Sequence, residues 1–271
     1  MDRQLFRYPW LTKAHVPAFP CPSCSKGHLR LVDDSLIYSQ TATSRRNQAH
    51  EESGPEDLEY TFSAALKCDE RGCQETVRVT GKGSPEQTEA YDQDGYPYLD
   101  LEDRFTPLFF HPPLILFQPP KGTPDGVVTQ LIASFQLFFC DPSAAANRLR
   151  SAIEFLLTEL RVPRSVSGRG SRLLSLHDRI TKVPTKFQPH RDLLLAVKWI
   201  GNAGSHRSAL KADDVLDGYQ ITEHFLAEIY DNQHTQVQRL AKQINRRKGP
   251  RRADALRKRR RAIPKKPQAS T

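Results

Sequence analysis

The sequence LLLAVKWIGNAGSH at residues 193–206 decides the fold of the C-terminal half of this chain. Its apolar residues recur at helical spacing and predict a helix with one buried face that runs toward Asn202. Lys198, Asn202 and His206 follow at intervals of four, so they share one helical face if the helix continues through His206. Two glycines disfavour that continuation, and Gly204 suits a left-handed stop before a loop. The stretch therefore predicts a polar site, and the alternative is a helix end whose Asn202 and His206 only satisfy backbone groups.

Four segments of this half resemble a known family, and they are AANRLRSAIEFLL, LLSLHDRI, LLLAVKWIGNAGSH and DDVLDGYQITEHFLAEIYD. The run 144–230 that contains them is similar to a prokaryotic family, domain of unknown function 4145, within the HEPN superfamily. The IGNAGSH element is the most specific of the four segments. The resemblance implies an all-helical bundle that is usually paired as a homodimer. It also implies an accessory role beside restriction endonucleases or other partners in a defence system.

The same resemblance raises the question of RNA cleavage. Catalytic HEPN proteins cut RNA without a metal, by means of an arginine and a histidine separated by four to six residues. No arginine stands at that distance before His206, and the nearest cation in the helix is Lys198. The family pattern implies that an ion pair between Arg150 and Glu154 faces Asn202 and His206. The alternative for Arg150 and Glu154 is an exposed helical pair worth a few tenths of a kcal/mol.

Two functions from different classes follow, and binding is favoured because the expected arginine is missing. The first is a nucleic-acid-associated accessory or adaptor protein that binds RNA or DNA. The second is a metal-independent endoribonuclease in which His206 is the general base or acid. In that second case Lys198 or Arg150 stabilises the charge of the phosphorane, and Asn202 orients the base or the phosphate.

Two close cysteine pairs lie in the N-terminal third, Cys21 with Cys24 and Cys68 with Cys73. Thiol pairs on tight turns with nearby glycines are typical of zinc ribbons, in which each turn presents two thiolates. Four thiolates close the coordination shell, so the predicted zinc is structural and not catalytic. The second pair has four intervening residues instead of the commoner two, and the alternative is two unrelated reduced pairs.

These patterns predict an α+β protein with a small N-terminal β zinc ribbon, an all-α HEPN-like helical bundle and a basic disordered tail. Strands are expected in LRLVDDSLIY, LEYTFSAALKC and QETVRVTG, and a proline-rich strap is expected to pack on the helices. The predicted parts are residues 14–104 for the ribbon with an inserted polar loop, 105–123 for the strap, 124–243 for the bundle and 244–271 for the tail.

Positive charge is concentrated at the C-terminal end of the chain. Residues 246–271 contain twelve Lys or Arg and one acid, a charge of +11, whereas the other residues contain 28 bases and 30 acids. Such a tail is expected to be disordered or a frayed helical extension, and to add salt-sensitive affinity for the phosphates of nucleic acid. No apolar run reaches the length of a membrane span, and the cysteine pairs suit a reducing compartment, so we expect a cytoplasmic protein without membrane contact.

Overall fold

A computed structural model describes residues 1–48, 54–166, 172–204, 210–230 and 232–247 of the 271. The chain divides into two compact units, Met1–Ile229 and Tyr230–Thr271. No helix among the described residues combines the length and the apolar character that crossing a membrane requires.

Five antiparallel strands form the N-terminal sheet of the first unit, and they are β1 (Leu29–Leu31), β2 (Ile37–Gln40), β3 (Tyr60–Cys68), β4 (Thr76–Tyr91) and β5 (Pro97–His111). The order across the sheet is β1-β3-β4-β5, and β2 also pairs with β3. Three short helical segments accompany the strands, and they are α1 (Arg3–Arg7), α2 (Ala42–Asn47) and a 3-10 helix (Pro55–Asp57).

The fold-class prediction of a small zinc ribbon is wrong, because the N-terminal region is built on this larger sheet. β4 has 16 residues and β5 has 15, and they pair from Arg78 with His111 to Tyr91 with Pro97. The expected single strand in LRLVDDSLIY is instead two short strands, since Asp34 between them takes a positive φ of 58°. The protein is therefore α+β, with an antiparallel sheet followed by helices.

Prolines explain why the length of β5 was missed. The sequence predicted a strap over residues 105–123, yet β5 runs on to His111, and the predicted boundary after residue 104 falls inside this strand. Proline has no N–H for a sheet hydrogen bond, so it is tolerated on edge strands. β5 is the last strand in the sheet order, which accommodates Pro97 and Pro107.

Helices follow the sheet, and their bounds in the first unit are α3 (Asp125–Phe138), α4 (Pro142–Glu159), α5 (Leu176–Thr181), α6 (Arg191–Ala203) and α7 (Ala212–Tyr230). A two-stranded hairpin of β6 (Ser165–Val166) and β7 (Arg172–Leu173) lies between α4 and α5, and a 3-10 helix (Thr185–His190) precedes α6. α4 begins where the Asp141 side chain accepts a hydrogen bond from the Ala144 N–H, with Pro142 in the first turn. This cap satisfies a backbone donor that the helix cannot pair internally.

Aromatic packing joins the sheet to the helices within the first unit. The ring of Phe110 in β5 lies 5.0 Å from that of Phe139, which follows α3. Among the helices, the buried Tyr219 hydroxyl lies 2.7 Å from Ser134 Oγ, and Ser134 Oγ donates a hydrogen bond to the Ala145 carbonyl. These contacts join α3, α4 and α7 in one core, because the buried hydroxyls of Ser134 and Tyr219 pair with each other.

Ion pairs attach α1 to α7. Arg3 contacts the carboxylates of Asp213 and Asp217, and Arg7 lies 2.9 Å from Asp213. The acids at the start of α7 lie at the positive end of the helix dipole. The structure gives them cationic partners about two hundred residues away, a separation that helical periodicity does not reveal.

The second unit contains α8 (Asn232–Arg247). Residues 244–247 belong to this helix, so the part of the predicted disordered tail that the structure describes is helical. The remaining tail residues, 248–271, lie outside the described residues.

Candidate metal centre and arginine cleft

The four paired cysteines converge in the first unit. The Sγ atoms of Cys21, Cys24, Cys68 and Cys73 all lie within 4.8 Å of one another. Two of the distances that join the pairs are 3.7 Å, from Cys21 to Cys73 and from Cys24 to Cys68. A tetrahedral thiolate site with metal–sulfur bonds of about 2.3 Å has sulfur–sulfur edges of about 3.8 Å. The four sulfurs can therefore hold a metal ion.

Two tight turns present these sulfurs. In the first turn, Cys21 N–H donates to the Gly27 carbonyl at 2.9 Å and Ser25 takes a positive φ of 55°. In the second, which follows β3, Cys73 N–H donates to the Glu70 carbonyl at 3.0 Å. Gly27 is required where the turns meet, because a Cβ atom there would lie 2.7 Å from Cys68 Sγ.

The turns give the thiols unequal acidity. Backbone N–H groups of Gly27 and Lys26 donate to the Cys24 sulfur and lower the pKa of this thiol to about 6. Burial raises the pKa of the Cys68 thiol to about 12. One thiolate therefore forms readily near neutral pH, whereas another needs a nearby cation to become ionised. A metal ion bound among the sulfurs would supply that positive charge.

Glycines also allow the close approach of α6 to α4 near the predicted polar site. A Cβ atom on Gly201 would lie 2.5 Å from Arg150 Cβ, and one on Gly204 would lie 2.6 Å from the Ser143 carbonyl oxygen. Gly204 has a φ of −62°, so the left-handed stop expected there is not present. Both glycines serve close packing between the helices, and they place the last turn of α6 beside Arg150.

The structure places the predicted site residues as follows. Arg150 Nη2 lies 3.3 Å from Glu154 Oε1 on α4, and both side chains are partly exposed. Lys198 is buried, with its ammonium nitrogen 3.3 Å from the centre of the Trp199 ring. Asn202 lies in the last turn of α6, directly after the glycine that contacts Arg150. His206 lies outside the described residues, so its predicted role stays a prediction.

Arg150 and Glu154 also border a cleft that the sequence did not predict. Its volume is about 390 Å³, and its lining comes from α4, from α5 and from the segments around the small hairpin; the lining residues are Arg150, Glu154, Phe155, Arg164, Leu173, Leu174, Ser175, Leu176 and Arg179. Burial lowers the pKa of the Arg179 guanidinium, the positive charge of Arg164 lowers it further, and the negative charge of Glu154 offsets part of this. We call this space the arginine cleft. Only the fold brings its arginines together, since no local motif links them.

Two family models match separate parts of the chain. Residues 10–110, which contain the cysteine cluster, match Domain of unknown function (DUF8608). No curated protein and no solved structure matches the chain. Residues 133–247, which run from α3 to the end of α8, match Domain of unknown function (DUF4145).

Proposed function

We propose that this protein is a nucleic-acid-associated accessory or adaptor protein of a prokaryotic defence or restriction system. It binds RNA or DNA through its HEPN-like helical region and its basic C-terminal segment, in the cytoplasm. A homodimer and a protein partner from the same system belong to this proposal. The observation that carries it is the concentration of positive charge at the C-terminal end.

Part of that charge, Arg246 and Arg247, lies at the exposed end of a helix. Residues 240–247 of α8 are all exposed, including the apolar Leu240 and Ile244. The helix ends with Arg246 and Arg247, and the sequence continues with ten further Lys or Arg and one acid. Each cation that meets a phosphate releases condensed counterions, which favours binding irrespective of base sequence.

A full-length variant tests this function, with the twelve Lys and Arg residues of 246–271 replaced by Gln. We call it the tail-neutral variant. The natural chain should bind labelled single-stranded RNA and duplex DNA about a hundredfold more weakly at about 200 mM salt than at about 50 mM. The tail-neutral variant should lose most of this salt dependence. A chain with the same residues of 246–271 in scrambled order is the control and should bind normally. Absence of binding at low salt would refute the function.

We propose structural Zn²⁺ as the ion of the four-cysteine cluster. Thiolates are soft ligands that favour zinc, and four of them leave no position for a reactive water. The ion would join the two turns and so hold the start of β1 to the end of β3. This role is structural, in keeping with a protein that binds and does not cut. Elemental analysis of protein purified from cells tests it, with one zinc per chain expected.

A second candidate function is metal-independent RNA cleavage. The observation in its favour is the contact between Gly201 and Arg150, because it brings the Arg150–Glu154 pair beside the turn that carries Asn202. In this proposal His206 is the general acid or base, with Arg150 or Lys198 stabilising phosphorane charge. Two such sites would meet on one RNA strand in a homodimer.

Cleavage is tested with excess protein and labelled single-stranded RNA in a metal chelator. A nuclease should give products that disappear with His206→Ala and persist with His224→Ala, a histidine on α7. Intact RNA with the natural protein would refute cleavage. Products that persist equally with His206→Ala would indicate a contaminating nuclease.

A further inference from the structure

The residues that line the arginine cleft carry more positive than negative charge. Arg150, Arg164 and Arg179 line it together with one carboxylate, that of Glu154. Glu154 is paired with Arg150 at 3.3 Å. Within the described residues, neither Arg164 nor Arg179 has a carboxylate at ion-pair distance.

Arg179 is the most buried of the three, with 5% of its surface exposed. Its Nη1 donates to the Glu154 carbonyl at 3.1 Å, and its Nη2 donates to Thr158 Oγ1 at 2.9 Å. These acceptors near the end of α4 are neutral, so they satisfy donors without cancelling the charge. The Nε atom is buried and has no hydrogen-bond partner within the described part of the chain.

Arg150 and Arg164 each share one of these two features, an Nε atom without a described partner or a neutral acceptor. The Nε atom of Arg150 is also buried without a partner among the described residues. Arg164 donates from Nε to Thr158 Oγ1 at 3.1 Å, again to a neutral acceptor. The influence of Arg164 on the pKa of Arg179 means that these two positive charges are close enough to repel each other. A partly dehydrated cluster of this kind is stabilised by an anion that several guanidinium groups share.

We propose that the arginine cleft binds a backbone phosphate of single-stranded nucleic acid. Guanidinium groups match the oxygens of a phosphate with paired hydrogen bonds, which favours phosphate over a simple halide ion. Phe155 borders the same cleft and is 40% exposed, so a base next to the phosphate can stack on its ring. The volume of about 390 Å³ is within the range of about 300–1,000 Å³ of small-ligand sites.

This proposal rests on the nucleic-acid binding proposed above, but a separate experiment tests it. Arg164→Glu is the main variant, because Arg164 is exposed whereas Arg179 also holds the end of α4. Arg148→Glu is the matched control: it makes the same charge change on an exposed residue of α4 outside the cleft lining. Both changes are made in the tail-neutral variant with its metal bound, and circular dichroism verifies the fold.

The probes are a fluorescent single-stranded RNA tetramer, the DNA tetramer of the same sequence and inorganic phosphate. Arg164→Glu should weaken tetramer binding about tenfold or more, and Arg148→Glu should leave it nearly unchanged. Phe155→Ala should weaken tetramer binding and leave phosphate binding unaffected. Arg179→Lys keeps the charge but loses the planar fork, so it should also weaken tetramer binding.

Each contrary result has a distinct meaning. Equal affinity for the tetramer in Arg164→Glu and Arg148→Glu overturns the cleft proposal and leaves the proposed function in place. The same holds if the tail-neutral variant binds no tetramer while the natural chain binds long RNA. Inorganic phosphate that binds as tightly as the tetramer overturns the assignment to nucleic acid and makes free phosphate the ligand. Failure of the natural chain to bind any nucleic acid refutes the proposed function itself.

Discussion

The four-cysteine cluster and the arginine cleft are two groups of like side chains with opposite needs. At the cysteines, four sulfurs lie within 4.8 Å of one another and can share a cation. At the cleft, three guanidinium groups and one carboxylate leave a net positive charge that can bind an anion. The comparison teaches that a cluster of like side chains indicates the ion it binds when the fold leaves the cluster's charge uncompensated. The reason is that a buried charge is costly without an opposite charge nearby.

The two clusters differ in how much a bound ion would contribute to the stability of the fold. The cysteines lie on two turns that hydrogen bonds already join, such as His28 N–H to Asp69 Oδ1 at 2.8 Å, and a bound ion would add a link through all four sulfurs. Two of the cleft arginines, Arg150 and Arg179, lie on packed helices, and Arg179 donates to a backbone carbonyl on α4. We therefore expect loss of the metal to cost stability, and loss of the anion to cost binding alone.

The largest effect that this comparison predicts follows from removing a sulfur. Cys68→Ser should abolish the bound metal and lower the free energy of unfolding by several kcal/mol, on the order expected for structural metal sites. Elemental analysis and thermal melts measure both quantities. Cys140→Ser, which changes the one cysteine outside the cluster, should retain the metal. Retention of one metal per chain by Cys68→Ser would contradict the four-thiolate site.

A methyl group at Gly27 should have the next largest effect. Its Cβ would lie 2.7 Å from Cys68 Sγ, so Gly27→Ala should weaken metal binding and destabilise the protein by about 1–3 kcal/mol. Gly72→Ala is the matched control, because a Cβ there meets no atom within 4 Å. Competition with a chromogenic chelator measures the metal affinity. Similar affinities for the two variants would show that the turns adjust freely.

The corresponding change in the helices should cost less. Gly201→Ala places a Cβ 2.5 Å from Arg150 Cβ, with an overpacking cost of about 1–3 kcal/mol. The gain in helix propensity offsets about 1 kcal/mol of this. Binding of the RNA tetramer should weaken because Arg150 shifts, and the metal content should stay at the natural value. A change in metal content would mean that the two clusters are coupled.

The smallest stability effect is expected from Glu154→Gln. Its ion pair with Arg150 is partly exposed, so the free energy of unfolding should fall by only about 0.3–0.5 kcal/mol in urea titrations. Affinity for inorganic phosphate should rise, because the cleft loses its one negative charge. Glu159→Gln, near the end of the same helix and outside the cleft lining, is the control. A fall in phosphate affinity would mean that Glu154 itself contacts the ligand.

Sequence reasoning was most successful where chemistry is local. The cysteine spacing indicated a thiolate site, and the four sulfurs do come together. The family-level resemblance to domain of unknown function 4145 agrees with the match over residues 133–247. The zinc-ribbon fold was wrong because short strand patterns do not reveal how far a pair extends. The partners of Glu86 and Glu89 in β4 are Glu102 and Leu99 in β5, and that register depends on pairing across the hairpin.

The candidate site in the helices was only partly accessible to sequence reasoning. Helical spacing indicated that Arg150 and Glu154 are neighbours on α4, as the ion pair shows. Sequence reasoning misjudged Gly204. This glycine does not form a left-handed turn, and its lack of a side chain instead allows close contact with Ser143. Arg164 and Arg179 were missed entirely, because their relation to Arg150 runs through α4 and not through any short motif.

By itself, the amino-acid sequence determined the features that depend on near neighbours: the two thiol pairs, the Arg150–Glu154 pair on one helix, and the basic character of residues 246–271. Tertiary structure alone decided the long pairing of β4 with β5, the docking of α1 on α7 and the convergence of three arginines on one cleft. The physical reason is the separation along the chain of the groups that interact. Hydrogen-bond caps and ligand turns act over a few residues, whereas packing and charge act between groups that only the folded chain brings together.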